Sequence, residues 1–170
     1  MIMLRRIVMF VLIIIAYLLQ TTLFRAISIA GIVPNILMII TSSFGLMRGK
    51  TEGMLIGFTA GLIADIFFMD IIGFYAMVFM TIGYLNGFFR RIFYPEDIKL
   101  PMILIGTSEM LYCFICYIFL FLLRGRMNLG YFFIHIMLPD VVYTVLVTLL
   151  LYRGIRFLNE RLEAYELGRG

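Results

Sequence analysis

Charge is scarce in this chain, and the side chains that polar catalysis depends on are scarcer still. Only 14% of the 170 residues are charged, where a soluble domain carries about 25%. One histidine, His135, and two cysteines, Cys113 and Cys116, are present. A single His and a few dispersed acids supply no paired carboxylates, no Ser/His/Asp set and no glycine-rich phosphate loop, so no catalytic residue is assigned. The cysteines form a lone CxxC inside the apolar run 104–123, with no second pair and no nearby His. That pattern does not make a zinc site, and the setting does not favour a reactive thiol. Both read as packing residues, and neither a metal nor a cofactor is expected. No Pro-, Gly- or Ser-rich stretch and no charge run divides the chain, so it reads as one domain.

What is abundant is apolar surface: 64% of the residues are hydrophobic and the mean hydropathy is +1.08. A small globular domain still exposes more than about a quarter of its chain's surface, so water cannot be the only solvent here. Lipid must take that place. A helix rises about 1.5 Å per residue, and crossing a hydrocarbon layer of about 30 Å takes roughly 17 to 25 apolar residues. By that ruler, spans fall at about 7–24, 33–47, 53–69, 71–89, 100–123 and 131–152. The fold class is therefore an all-α integral membrane bundle of six transmembrane helices, a domain covering 1–152 followed by a short amphipathic tail, 153–170. The thirteen Met and seventeen Phe fit core filling and lipid contact better than a cofactor box.

The net charge of +4 would suggest a nucleic-acid partner only if the basic residues gathered on one water-facing surface. They are interspersed between apolar runs, so they orient helices instead and no nucleic acid is expected. Eleven Lys and Arg fall on one side of the predicted spans, and three, Arg25, Arg124 and Arg126, on the other. Positive loops stay in the cytoplasm, which places both termini there in a multi-pass membrane protein. A competing reading takes Arg5-Arg6, the apolar stretch after it and the small residues Ala26, Ser28 and Ala30 as a cleavable signal peptide, leaving five spans. The stretch through Phe24 is long enough to span, which favours its retention.

In the third span Gly53, Gly57, Gly61 and Asp65 recur every fourth residue, and Gly73, Ala76, Gly83 and Gly87 mark the fourth. Inside lipid, such stripes let backbones approach closely. They are expected to pack the hairpin of spans three and four, closed by the turn at Asp70, or to meet a partner. Three carboxylates lie within spans, and insertion scales put each at about 2.5 to 3.5 kcal/mol at a helix centre. Asp65 is placed to cap amides of the following turn. Glu109 is the most costly unless paired, and Asp140 follows Pro139, which invites a kink. Along with His135, these two are the intramembrane polar candidates, and an ion or substrate path is the functional reading of such groups. In the tail, Ile155, Leu158, Leu162 and Tyr165 share a face, with Arg156 four residues before Glu160. That face could lie on the inner leaflet, meet a cytosolic partner or simply end the helix in water.

The order of motifs resembles the MreD family of rod shape-determining proteins. Pro34-Asn35 opens the second span, and Gly45-Leu46 and Arg48-Gly49 close it. Glu52-Gly53, Gly57-Phe58, Gly61-Leu62 and Asp65 follow, then Gly73-Phe74-Tyr75-Ala76, Gly83-Tyr84 and Gly87, and more loosely Leu138-Pro139 near Tyr143. The likeness is close over 32–91 and loose elsewhere; where the family often has Asn after Leu-Pro, this chain has Asp140. The resemblance implies a non-catalytic scaffold of the machinery that elongates the peptidoglycan sidewall. It implies that MreC, a single-span protein, is a direct partner. Through MreC the scaffold would meet MreB filaments, the RodA glycosyltransferase and a penicillin-binding transpeptidase. Some descriptions liken the fold to the six-helix substrate-binding subunit of energy-coupling-factor transporters. The alternative function is accordingly a vitamin-binding transporter subunit, against which the first span's single small residue, Ala16, counts.

Overall fold

A computed structural model describes residues 2–68, 72–122, 125 and 128–168. Among them are six helical segments and no strand, only an isolated bridge between Ile29 and Ile32. The helices are α1, Met3–Ala26; α2, Ile36–Arg48; α3, Lys50–Phe68; α4, Phe74–Asn86; α5, Lys99–Phe121; and α6, Leu129–Glu166. A 3-10 segment, Gly87–Ile92, prolongs α4. Three helices, α1, α5 and α6, are long and apolar enough to cross a membrane, whereas α2 is apolar but has only 13 residues. The sixth span runs unbroken into the tail through Glu166.

At the centre stands α2. Every residue from Ile36 to Met47 is buried, and the helix packs against α1, α3, α4, α5 and α6. A helix apolar nearly all round has no face suited to water and belongs in an interior. The outer helices show one buried stripe each. On α1 it comprises Met9, Ile13, Ala16 and Tyr17, while Phe10, Val11, Ile14 and Leu18 face outward to lipid. On α6 the stripe is Thr144, Thr148, Tyr152, Ile155 and Asn159. It continues past the predicted end of the span, so the tail's first turns pack on the bundle.

Two helices change pitch. The last residues of α5, Tyr117–Phe121, and an early turn of α6, Phe133–Met137, are π-helical. The second ends just before Pro139, whose missing N–H and bulky ring disrupt regular bonding one turn back. Both π turns contribute to a small separate core of Cys113, Tyr117, Phe132 and Met137, where the Tyr117 and Phe132 ring centres are 4.9 Å apart.

Candidate helix-packing interface and buried polar cluster

The period-four glycines of α3 meet α4 backbone to backbone. A Cβ on Gly57 would be 2.7 Å from the Phe79 carbonyl carbon, and one on Gly61 would be 2.6 Å from Ala76 Cα. Gly53 faces Gly83 and, on its other side, Gly45 of α2, whose Cα would lie 2.6 Å from an added Cβ. Gly87 in turn sits on the backbone of Lys50. Gly53, Gly57, Gly61, Gly83 and Gly87 thus form one continuous seam inside the chain. Gly45 joins it, and was not singled out for packing from the sequence. Gly49 turns the chain between α2 and α3 at φ 100°.

Asp65 ends the seam. Its Oδ2 accepts from the amides of Gly73 and Ala76, both at 2.9 Å, and its Oδ1 from that of Tyr75 at 2.8 Å. These are free donors at the start of α4, where Gly73 (φ 112°) has no side chain to cap them. A carboxylate at a helix N-terminus satisfies them and meets the positive end of the helix dipole. This explains why a wholly buried acid is tolerated there. Asp70, assigned to the adjoining turn, lies outside the described residues, as do Arg124 and Arg126.

The second cluster surrounds the N-terminus of α2. At about 1.5 Å per residue, 13 residues reach only about 20 Å, and the start of α2 is buried inside the bundle, where its first amides need partners from the protein. Asn35 Oδ1 accepts from Met38 N at 3.2 Å, Gln20 Oε1 from Leu37 N at 3.2 Å, and Thr144 Oγ1 from Asn35 N at 3.1 Å. Asn35 Nδ2 then donates to Glu109 Oε1 at 3.2 Å. Glu109 is wholly buried and lies beside Asp140, which accepts from Cys113 Sγ at 3.5 Å. One donor atom each from Glu109, Cys113 and Asp140 lies within 4.8 Å of the others. Among the described residues, these three could contribute to holding a metal ion, with further ligands still to be supplied.

Glu109 and Asp140 are therefore brought together, whereas Asp65 is committed to α4. His135 is exposed, stacked on Tyr131 with ring centres 4.4 Å apart and its Nδ1 3.2 Å from the Tyr131 carbonyl. It takes no part in the cluster.

A third group lies at the end of the bundle where α2 meets α3. Arg5 bonds both Glu52 and Glu166, and Arg48 reaches Glu166 at 3.0 Å and Asn159 Oδ1 at 2.6 Å. These bonds tie the C-terminal helix end to α1, α2 and α3. Burial pushes the Glu166 carboxyl up, but the hydrogen bond and charge of Arg48 and the charge of Arg5 outweigh it, holding it below the usual carboxylate range. Beyond this network, Arg156 donates to Glu160 at 2.9 Å and to the Pro95 carbonyl.

In comparison with known proteins, a family model described as rod shape-determining protein MreD matches residues 1–161. Neither a curated protein nor a solved structure matches the chain.

Proposed function

The chain belongs to the MreD family and has a role in rod shape determination at the inner membrane, and from that premise we propose that it is a non-catalytic scaffold of the cell-wall elongation machinery. MreC is its direct partner, and MreB filaments, RodA and a penicillin-binding protein are reached through MreC. The observation that carries this reading is where the polar groups go. Of the three acids, Asp65 caps α4 and Glu109 accepts from the side chain of Asn35 at the start of α2, with Asp140 beside it. The α3–α4 glycines are likewise consumed within the chain. A bundle built this way is a rigid platform, and apolar side chains on α1, α5 and α6 are left for lipid and partner helices.

In this proposal all six helices lie in the membrane, and residues 1–152 form the membrane domain. Both termini are cytoplasmic, because Arg5, Arg48, Lys50 and Arg90 gather at one end with the tail, 153–170. Copurification tests the scaffold role. Gly57→Leu in the full chain should reduce recovery of MreC from membranes and round the cells. Unchanged copurification together with unchanged rod shape would overturn the proposal. A stoichiometric vitamin found by mass spectrometry in the purified protein would favour the transporter alternative instead.

A further inference from the structure

Around the turn between α2 and α3, the bundle end holds a hollow of about 660 Å³, lined by Arg48, Lys50, Arg90 and Arg91 and by no acidic residue. Arg48 is engaged with Asn159 and Glu166. Lys50, Arg90 and Arg91 are exposed and, among the described residues, make no ion pair. The Lys50 ammonium is held 3.4 Å from the centre of the Phe88 ring. The start of α3, Gly49 to Thr51, opens on the same hollow. Gly49 has no side chain to cap it, and Glu52 of the first turn is paired with Arg5, so the positive end of a 19-residue helix adds to the three cations. The charge of this hollow is complementary to an anion.

Phe88 also lines a second space, an apolar groove of about 460 Å³ between α4 and α5 bounded by Leu85, Leu104 and Leu111. Thr107 and Leu111 carry that groove on into a further apolar hollow of about 500 Å³ that reaches Phe114 and Phe133. Leu104, Thr107, Leu111 and Phe114 are spaced three and four apart, so they line one face of α5 over about 15 Å. A cationic head compartment thus adjoins a long apolar channel, the two sharing Phe88. Its shape and polarity are those of a phosphate-headed lipid lying upright in the leaflet. Basic pockets between helices on the cytoplasmic side are known to take such headgroups.

We propose that this face binds one anionic glycerophospholipid, with its phosphate against Lys50, Arg90, Arg91 and the α3 amides and an acyl chain along α5. The scaffold reading is not required for this site, and its test does not depend on MreC. The full chain is reconstituted in phosphatidylcholine nanodiscs, phosphatidylglycerol is titrated in, and bound lipid is counted by native mass spectrometry. Saturable retention of one phosphatidylglycerol, with no such retention of phosphatidylcholine, is expected. Replacing Lys50, Arg90 and Arg91 together by Ala should weaken retention roughly a hundredfold, since each basic group near an anionic headgroup contributes about fivefold. Leu111→Trp, which fills the groove and leaves the cations in place, should displace the lipid from a bundle that still elutes as one species. Arg161→Ala, a loss of one charge elsewhere on the tail, should change nothing.

Equal weakening by Arg161→Ala would reduce the effect to general surface charge and overturn the site. So would retention unaffected by Leu111→Trp. Protection from thermal unfolding by inorganic phosphate as strong as that by phosphatidylglycerol would make it a free-phosphate site. Selective retention of a polyprenyl phosphate over phosphatidylglycerol would assign the same chemistry to a different lipid and overturn the glycerophospholipid.

Discussion

On one side of α2, α3 and α4 meet backbone to backbone through Gly53, Gly57, Gly61 and Gly83, and Gly45 brings α2 into the same seam. On the other, α5 and α6 meet through Tyr, Phe and Val side chains and carry two π-helical turns. Backbone cannot rotate out of the way, but a side chain can. The first half is therefore a fixed seam, whereas the second half can take up small changes. In lipid, where burial of apolar groups between helices gains little, the seam supplies dispersion contacts at the shortest range. Near the second half, polar groups finish the buried start of α2.

The sharpest way to break this contrast is to make one substitution on both sides. Gly57→Ala puts a Cβ into the Phe79 carbonyl and Met80 amide, and it should lower the detergent melting temperature by more than Gly106→Ala, Asp65→Asn, Glu166→Gln or His135→Gln, or prevent folding altogether. Gly106→Ala on α5 meets Val145 Cγ2 at 3.2 Å and Val141 Cγ1 at 4.0 Å, both of them side-chain atoms. Its better helix propensity offsets those contacts, leaving stability within about 1 kcal/mol of wild type. Equal losses in the two variants would erase the distinction between the halves.

Asp65→Asn should come next. It leaves three α4 amides with one neutral acceptor oxygen in place of a carboxylate, a loss of about 1.5 to 3 kcal/mol, seen as a lower urea or thermal midpoint in detergent. In Glu166→Gln, two exposed-edge ion pairs are weakened for less than about 1 kcal/mol, and sensitivity to salt should fall with them. Its pH dependence has a definite sign. The folded carboxyl titrates below its unfolded value of about 4.3, so the contribution is present above that pH and is lost as pH falls through the folded value. Melting curves from pH 7 to pH 3 should fall off less steeply for Glu166→Gln than for wild type. Smallest of all, His135→Gln should stay within about 0.5 kcal/mol, because the ring is exposed and touches only its own helix turn.

The seam was legible in the sequence because its cause is local. A period of four places Gly53, Gly57, Gly61 and Asp65 on one helix stripe, and a connection of a few residues brings the next helix alongside. Asp65 as a cap followed from the same proximity. The meeting of Glu109 with Asp140 was not legible. Those residues lie on separate helices, and the π turn at Phe133–Met137 alters the face that α6 presents. The central place of α2 was written in its lack of a charged face before Arg48, yet a span-length ruler registered only a short helix. The tail's anchorage was hidden for another reason: Arg5, Arg48, Glu52 and Glu166 become neighbours only after every helix has packed.

The shortness of α2 also constrains how the polypeptide is made. When its residues leave the ribosome they form a rod too short for the bilayer, and the acceptor for the Asn35 amide, Thr144, has yet to be translated. Glu109, which receives the Asn35 side-chain amide, also comes later. The second helix is thus completed by the last: Gln20 and Asn35 can accept from Leu37 and Met38 as soon as the helix forms, whereas the Asn35 amide and side chain find their acceptors only when the later helices arrive.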